Sequence, residues 1–120
     1  MNIPKDVKVG GVKYKVVYKT PIELDNGLRC YGLCDYSTHA IYLDKTIQDE
    51  QGLKQTFIHE LIHAICFEGN VEMTRLGVEL DTMEQITDGV GKMLCQVIQD
   101  NPKVFTKQES KKSSTKSTTK

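Results

Sequence analysis

On either side of Gly10-Gly11, apolar and polar residues alternate with a period of two through most of Asp6 to Lys19 (DVKVGGVKYKVVYK). That glycine pair tolerates positive φ and suits a tight hairpin turn. The pattern predicts two antiparallel strands, with Val12, Tyr14, Val16 and Tyr18 on one face. Lys13, Lys15 and Lys19 then fall on the other face, towards solvent. Asn26-Gly27 is a turn signal, after which GLRCYGLCDY and HAIYLD predict a second strand pair joined near Ser37-Thr38.

From Thr46 onward the period changes. Leu53, Phe57, Leu61, Ala64 and Ile65 recur at helical spacing, and Ile58 and Ile62 widen the apolar arc, so this helix is expected to be central. It is predicted to start between Thr46 and Glu50 and to stop at Gly69-Asn70. A second helix is announced by Asp81 or Thr82 as N-cap and is closed by Asn101-Pro102. Its predicted inner stripe is Ile86, Val90, Met93, Leu94, Val97 and Ile98. The segment between, VEMTRLGVELD, reads as a loop or short turn. These elements predict an α+β fold in one domain, residues 1–106, in which a small N-terminal antiparallel sheet of about four short strands packs on two main helices. Residues 107–120 (KQESKKSSTKSTTK) offer almost nothing to a core and predict a disordered tail.

Composition narrows the function classes. The chain has 120 residues and no formal net charge, but its last fourteen residues hold five lysines and one glutamate. The remainder is mildly acidic, which disfavours broad electrostatic binding of nucleic acid except through the tail. No apolar run approaches the ~18 residues of a membrane span, and the start, MNIPKDVKVGG, lacks the apolar centre of a secretion signal. A soluble, cytoplasmic protein with no membrane partner is the expectation. Cys30, Cys34, Cys66 and Cys95 then read as reduced thiols. Cys30 and Cys34 are spaced one residue wider than the commonest zinc pair and no second pair follows.

Candidate chemistry lies in the central helix. A helix advances about 100° per residue, so His59 and His63 sit one above the other and can offer imidazole nitrogens to one ion. Glu60 projects beside them, within reach of a water at that ion, which is the mechanical content of the H-E-x-x-H motif. The plainer reading makes the histidines hydrogen-bonded core residues and Glu60 a solvated charge. It leaves the desolvation cost of three polar groups in the most apolar segment without compensation.

Catalytic zinc needs a third protein ligand and one open position. No histidine follows His63, so an acid, a thiolate or His39 must supply it. Glu84 and Asp88 share one face of the second helix. Glu84 can reach the metal while Asp88 bonds the outer nitrogen of a ligating histidine. The alternative for Glu84 is a capping box with Asp81, in which its carboxylate serves only a backbone N–H. Gly89 and Gly91 favour the ligand reading, because close helix approach would offset the cost of glycine inside a helix.

With His59-Glu60-x-x-His63 followed by Glu84-x-x-x-Asp88, the chain resembles the gluzincin branch of the zincin metallopeptidases. Its outline is similar to the compact zincin-like proteins of phages and prophages, akin to the ImmA/IrrE type. The resemblance covers about Val9 to Phe105, closely at the two motifs and loosely in the strands. It implies one Zn²⁺ held by His59, His63 and Glu84, with Glu60 as general base and Asp88 as the partner that orients a ligand. It implies hydrolysis of a peptide or protein substrate, such as a regulatory protein, and a strand around Ala40 to Leu43 that borders the cleft and pairs with extended peptide. Larger gluzincins carry a downstream histidine or tyrosine for the oxyanion. Neither follows His63 here, leaving Tyr36, His39 or Tyr42 to reach over from the sheet. The alternative function is a zinc-stabilised binding or regulatory module with little or no turnover, and a third is nucleic-acid binding through the basic tail.

Overall fold

The computed structural model describes residues 1–106. Residues 107–120, expected to form the disordered tail, lie outside the described part. Strand β1 (Asp6–Val9) turns at Gly10 and Gly11, at φ +59° and +86°, into β2 (Val12–Tyr18). Two successive positive φ values in a two-residue loop match the twist of the flanking strands, which explains the glycine pair. Val9 faces Val12 and Asp6 faces Lys15 in the antiparallel register.

A two-stranded ribbon, β3 (Ile22–Glu23) and β4 (Arg29–Cys30), interrupts the expected course, with Gly27 at φ +84° in its turn. The chain then forms β5 (Gly32–Asp35) and β6 (Ala40–Leu43), an antiparallel pair. The sheet order is β1-β2-β6-β5, and β6 runs parallel to β2 with Val16 opposite Ile41. The α+β class and the four-stranded sheet are as expected, but the sheet is mixed rather than wholly antiparallel. Alternation tells which face a residue occupies and not the direction of its neighbour. β6 is the most apolar strand, so it takes the interior position, where Ala40, Ile41 and Leu43 are buried. Tyr14 is fully buried on the inner face, whereas Tyr18, at the last paired position, is exposed under the Lys45 ammonium at 4.9 Å from its ring.

Helix α1 (Glu50–Glu68) starts within the expected window, where the Asp49 side chain accepts from the Gly52 N–H at 2.7 Å. Its entry is tied to the sheet. Asp44 is fully buried and accepts from Arg29 at 2.9 Å and from the Thr46 hydroxyl at 2.6 Å. Gln48 donates to the carbonyls of Asp44 and Tyr31, and Thr56 donates to Gln48 at 2.6 Å. α1 packs on β1, β5 and β6 with one side and on the second helix, α2 (Leu80–Asp100), with another.

α2 departs from expectation in two respects. Its N-cap is Glu79, with no side-chain cap bond, so the Asp81–Glu84 capping box does not form. Its inner face carries Thr87, Gly91 and Cys95, all buried, flanked by the half-buried Leu94 and Ile98. Ile86, Val90, Met93 and Val97, expected inside, are exposed. The cause is close helix approach: a Cβ on Gly91 would already be in van der Waals contact with α1, 3.5 Å from the His59 Cα, so a side chain longer than alanine's would run into that helix. Gly89 is different, since a Cβ there would meet nothing within 4 Å.

Candidate metal centre

The antiparallel course of the two helices can be read from their contacts: Gly91 lies against His59, while Leu80 and Met83 share a cavity wall with Cys66 and Phe67. That register sets Glu84 across from the two histidines of α1. One carboxylate oxygen of Glu84 lies 3.1 Å from His59 Nε2 and the other 3.1 Å from His63 Nε2. The imidazole rings are 5.0 Å apart, centroid to centroid, and one donor atom from each of the three residues lies within 4.8 Å of the others. Ligands about 2.0–2.1 Å from a tetrahedral zinc ion stand roughly 3.3 Å from one another, so this donor set needs only small adjustments to share an ion. Two nitrogens and a carboxylate are also a zinc-type set.

Asp88 Oδ1 lies 3.7 Å from His59 Nδ1 and its other oxygen pairs with Lys92 at 3.0 Å. When Nε2 gives its lone pair to a metal, the ring proton moves to Nδ1, on the side where Asp88 waits. Burial holds the His63 imidazole below its usual range, with Glu84 opposing and His59 reinforcing the shift. The neutral, ligating form is therefore favoured near pH 7.

Glu60 is 8 % exposed, wedged between α1 and the edge strand β5. Burial, with the Glu84 charge second, pushes its carboxyl up to about 8, while the Cys34 backbone pulls the other way. A cation opposite Glu60 would lower that value and leave a base poised near neutral pH. The cleft in front of it has a volume of about 490 Å³ and is lined by His59, Glu84 and Asp88 on one side and by Cys30, Tyr31 and Gly32 on the other. A second cavity of about 360 Å³ lies past His63, between Tyr36, Phe67, Val71, Met73, Leu80 and Met83.

Of the residues singled out in the sequence, His59, Glu60, His63, Glu84 and Asp88 are brought together. Tyr36 stacks on Phe67, ring centroids 4.4 Å apart, and borders the second cavity with His63. His39 and Tyr42 are not at the site. His39, at φ +53°, is exposed with its ring edge-on to Tyr14, and Tyr42 lies beneath the Lys19 ammonium on the face away from the helices. Alternation explains Tyr42: its neighbours Ile41 and Leu43 point inward, so it cannot. Cys66 lines the second cavity and Cys30 the first; neither joins the ligand set.

The strand bordering the cleft is also different from the one expected. Ala40–Leu43 is interior, hydrogen-bonded on both sides, and β5 forms the sheet edge among the described residues. Gly32 on β5 was not singled out, although glycine inside a strand signals close approach of another group. A Cβ there would fall 2.6 Å from Thr56 Cγ2, 3.1 Å from the Tyr42 carbonyl oxygen and 3.2 Å from Glu60 Cγ. Gly32→Ala is therefore expected to lower stability by about 1–3 kcal/mol through overpacking, seen as a fall in Tm, and to displace Glu60. An unchanged Tm would show that the strand and helix are not held so closely.

Among the described residues, no helix is long and apolar enough to cross a membrane. No protein-family model matches the chain, and comparisons with curated proteins and with solved structures likewise found no match.

Proposed function

We propose that this protein is a small zinc-dependent peptidase of the zincin-like kind, cutting extended peptide segments laid along β5. One observation carries the reading: the Glu84 carboxylate from a separate helix spans the two imidazoles at 3.1 Å each. Zinc held by His59, His63 and Glu84 would polarise the scissile carbonyl and bring the pKa of water towards 7. Glu60 accepts a proton from the attacking water and delivers it to the leaving amine, and its buried position keeps competing solvent away from that carboxylate. Asp88 orients His59. The backbone of β5 offers an edge to which an extended peptide can add as a further strand, and the apolar cavity past His63 fits one large apolar side chain of that peptide. Tyr36, which lines the second cavity together with His63, would supply the missing oxyanion donor.

A second reading, a zinc-stabilised regulatory module with little turnover, is favoured by the lack of any histidine or tyrosine after His63. The buried Glu60 opposes it, because a purely structural site gains nothing from the desolvation of an extra carboxylate. The two separate on one experiment with protein purified without added metal. A peptidase is expected to carry one zinc per chain, to bind a simple hydroxamate at the open coordination position, and to cut a mixed peptide pool in a reaction stopped by a chelator and restored by zinc. Zinc without hydroxamate binding would favour the module, and no zinc at all would remove both readings.

A further inference from the structure

Thr87 is fully buried on the inner face of α2, and its hydroxyl oxygen meets no hydrogen-bond partner. A threonine inside a helix has a ready partner in the carbonyl four residues back, here that of Met83, and this hydroxyl does not take it. An unpaired buried hydroxyl costs stability, whereas valine fills the same space with no polar atom to satisfy. Packing of α2 on α1 therefore does not account for a threonine at this position. A bond that forms only in another state of the protein would account for it.

The register of the two helices shows what lies opposite. Gly91, one turn after Thr87, lies against the His59 backbone and Ile62. Met83, one turn before it, shares a cavity wall with His63, Cys66 and Phe67. Residues four apart share a helix face, so Thr87 falls between those two contacts, opposite the turn of α1 that carries His63. The His63 side chain is 13 % exposed, and Glu84 meets its ring at Nε2. The neighbouring histidine has Asp88 near its Nδ1, but among the described residues no carboxylate pairs with Nδ1 of His63.

We propose, resting on the metal reading above, that Thr87 positions His63: its hydroxyl oxygen accepts the Nδ1–H bond when His63 Nε2 gives its lone pair to the zinc ion. An imidazole that ligates through Nε2 carries its proton on Nδ1, and a mostly buried ring must find an acceptor for it. The Thr87 oxygen has two lone pairs and no other partner. Thr87 and Asp88 are adjacent on α2, so one turn of that helix serves both rings. Their chemistry matches their surroundings. Asp88 is half exposed and can stay charged, whereas a carboxylate at the buried Thr87 position would cost far more desolvation than a hydroxyl. The hydroxyl is then unpaired in the metal-free chain and paired in the loaded one, which couples zinc binding to the relief of that cost.

Thr87→Val and Thr87→Ser test this, each compared with the wild type for zinc affinity by chelator competition and for melting of the metal-free chain. Thr87→Val keeps the shape and removes the oxygen. Its zinc affinity is expected to fall about 10–100-fold, while its metal-free form melts about 4–8 °C higher because an unpaired hydroxyl has gone. Thr87→Ser keeps the oxygen and loses a buried methyl, so it should melt lower and yet hold zinc as tightly as the wild type. A residue that only fills space would move both readouts in the same direction. In nuclear magnetic resonance of the zinc-loaded protein, the His63 ring N–H should exchange slowly with water, and rapidly in Thr87→Val. Undiminished affinity in Thr87→Val would overturn the proposal and leave the metal reading standing. So would a lower melting temperature for that variant, since the hydroxyl would then be bonded already in the metal-free chain. A wild-type chain that takes up no zinc would overturn both.

Discussion

Glu84→Ala is expected to abolish tight zinc binding while leaving the fold in place. Glu84 is half exposed and supports no backbone hydrogen bond, so its removal takes little from packing. It does take the only carboxylate that meets both imidazoles among the described residues, and the only donor of the three that comes from α2. Losing an outer partner of a metal ligand already costs about 10–100-fold in affinity, so losing a direct ligand should exceed that. Competition against a chromogenic chelator would measure it. Glu84→Gln, which keeps the shape but not the charge, should fall between the two. Wild-type affinity in the alanine variant would mean that the ion, if bound, is held elsewhere.

The second large effect is at Glu60. Glu60→Gln removes the proton acceptor without changing the three donor residues, so zinc content should stay at the wild-type level. Hydrolysis should fall by about 10²–10⁴-fold, the usual worth of a positioned general base. Chromatographic assay of a susceptible peptide, at equal zinc occupancy, is the test.

The same substitution has a readout that requires no substrate. In the metal-free protein the Glu60 carboxyl sits at about 8 against 4.5 for an ordinary glutamate, because burial disfavours its charge. The folded state then binds more protons than the unfolded state between those values, and stability falls as pH rises through that window. Below about pH 4.5 both states are protonated and the penalty is absent; above about 8 it is fully present. Glu60→Gln should flatten this slope in chemical denaturation of the metal-free chain. An equal slope in both proteins would show that Glu60 is hydrated rather than buried.

Much of the site follows from spacing alone because helical geometry is regular. Two histidines four apart on α1, and a glutamate and an aspartate four apart on α2, must each share a face, and only one arrangement lets the pairs meet. The choice between ligand and cap for Glu84 could not be made that way, since it depended on where α2 begins. Starting at Leu80 instead of after Asp81 or Thr82 carries Glu84 beyond capping distance and towards the histidines. The sheet was half readable. Alternation gave the inward faces, but the position of β6 between β2 and β5 depends on long-range pairing that no local pattern encodes. The inner face of α2 was misjudged for a related reason. Apolarity marked the large residues, yet tight approach at Gly91 selected the small ones.

The contact at Gly32 has a mechanical consequence. With the space between β5 and the Thr56–Glu60 turn already filled by backbone, methyl and methylene groups, the strand and the Glu60 side chain form one stiff joint. On the peptidase reading proposed above, a peptide docking on the outer side of β5 would pull on the same strand that braces the carboxylate. Capture of the chain to be cut and alignment of the group that receives the proton would then be a single movement.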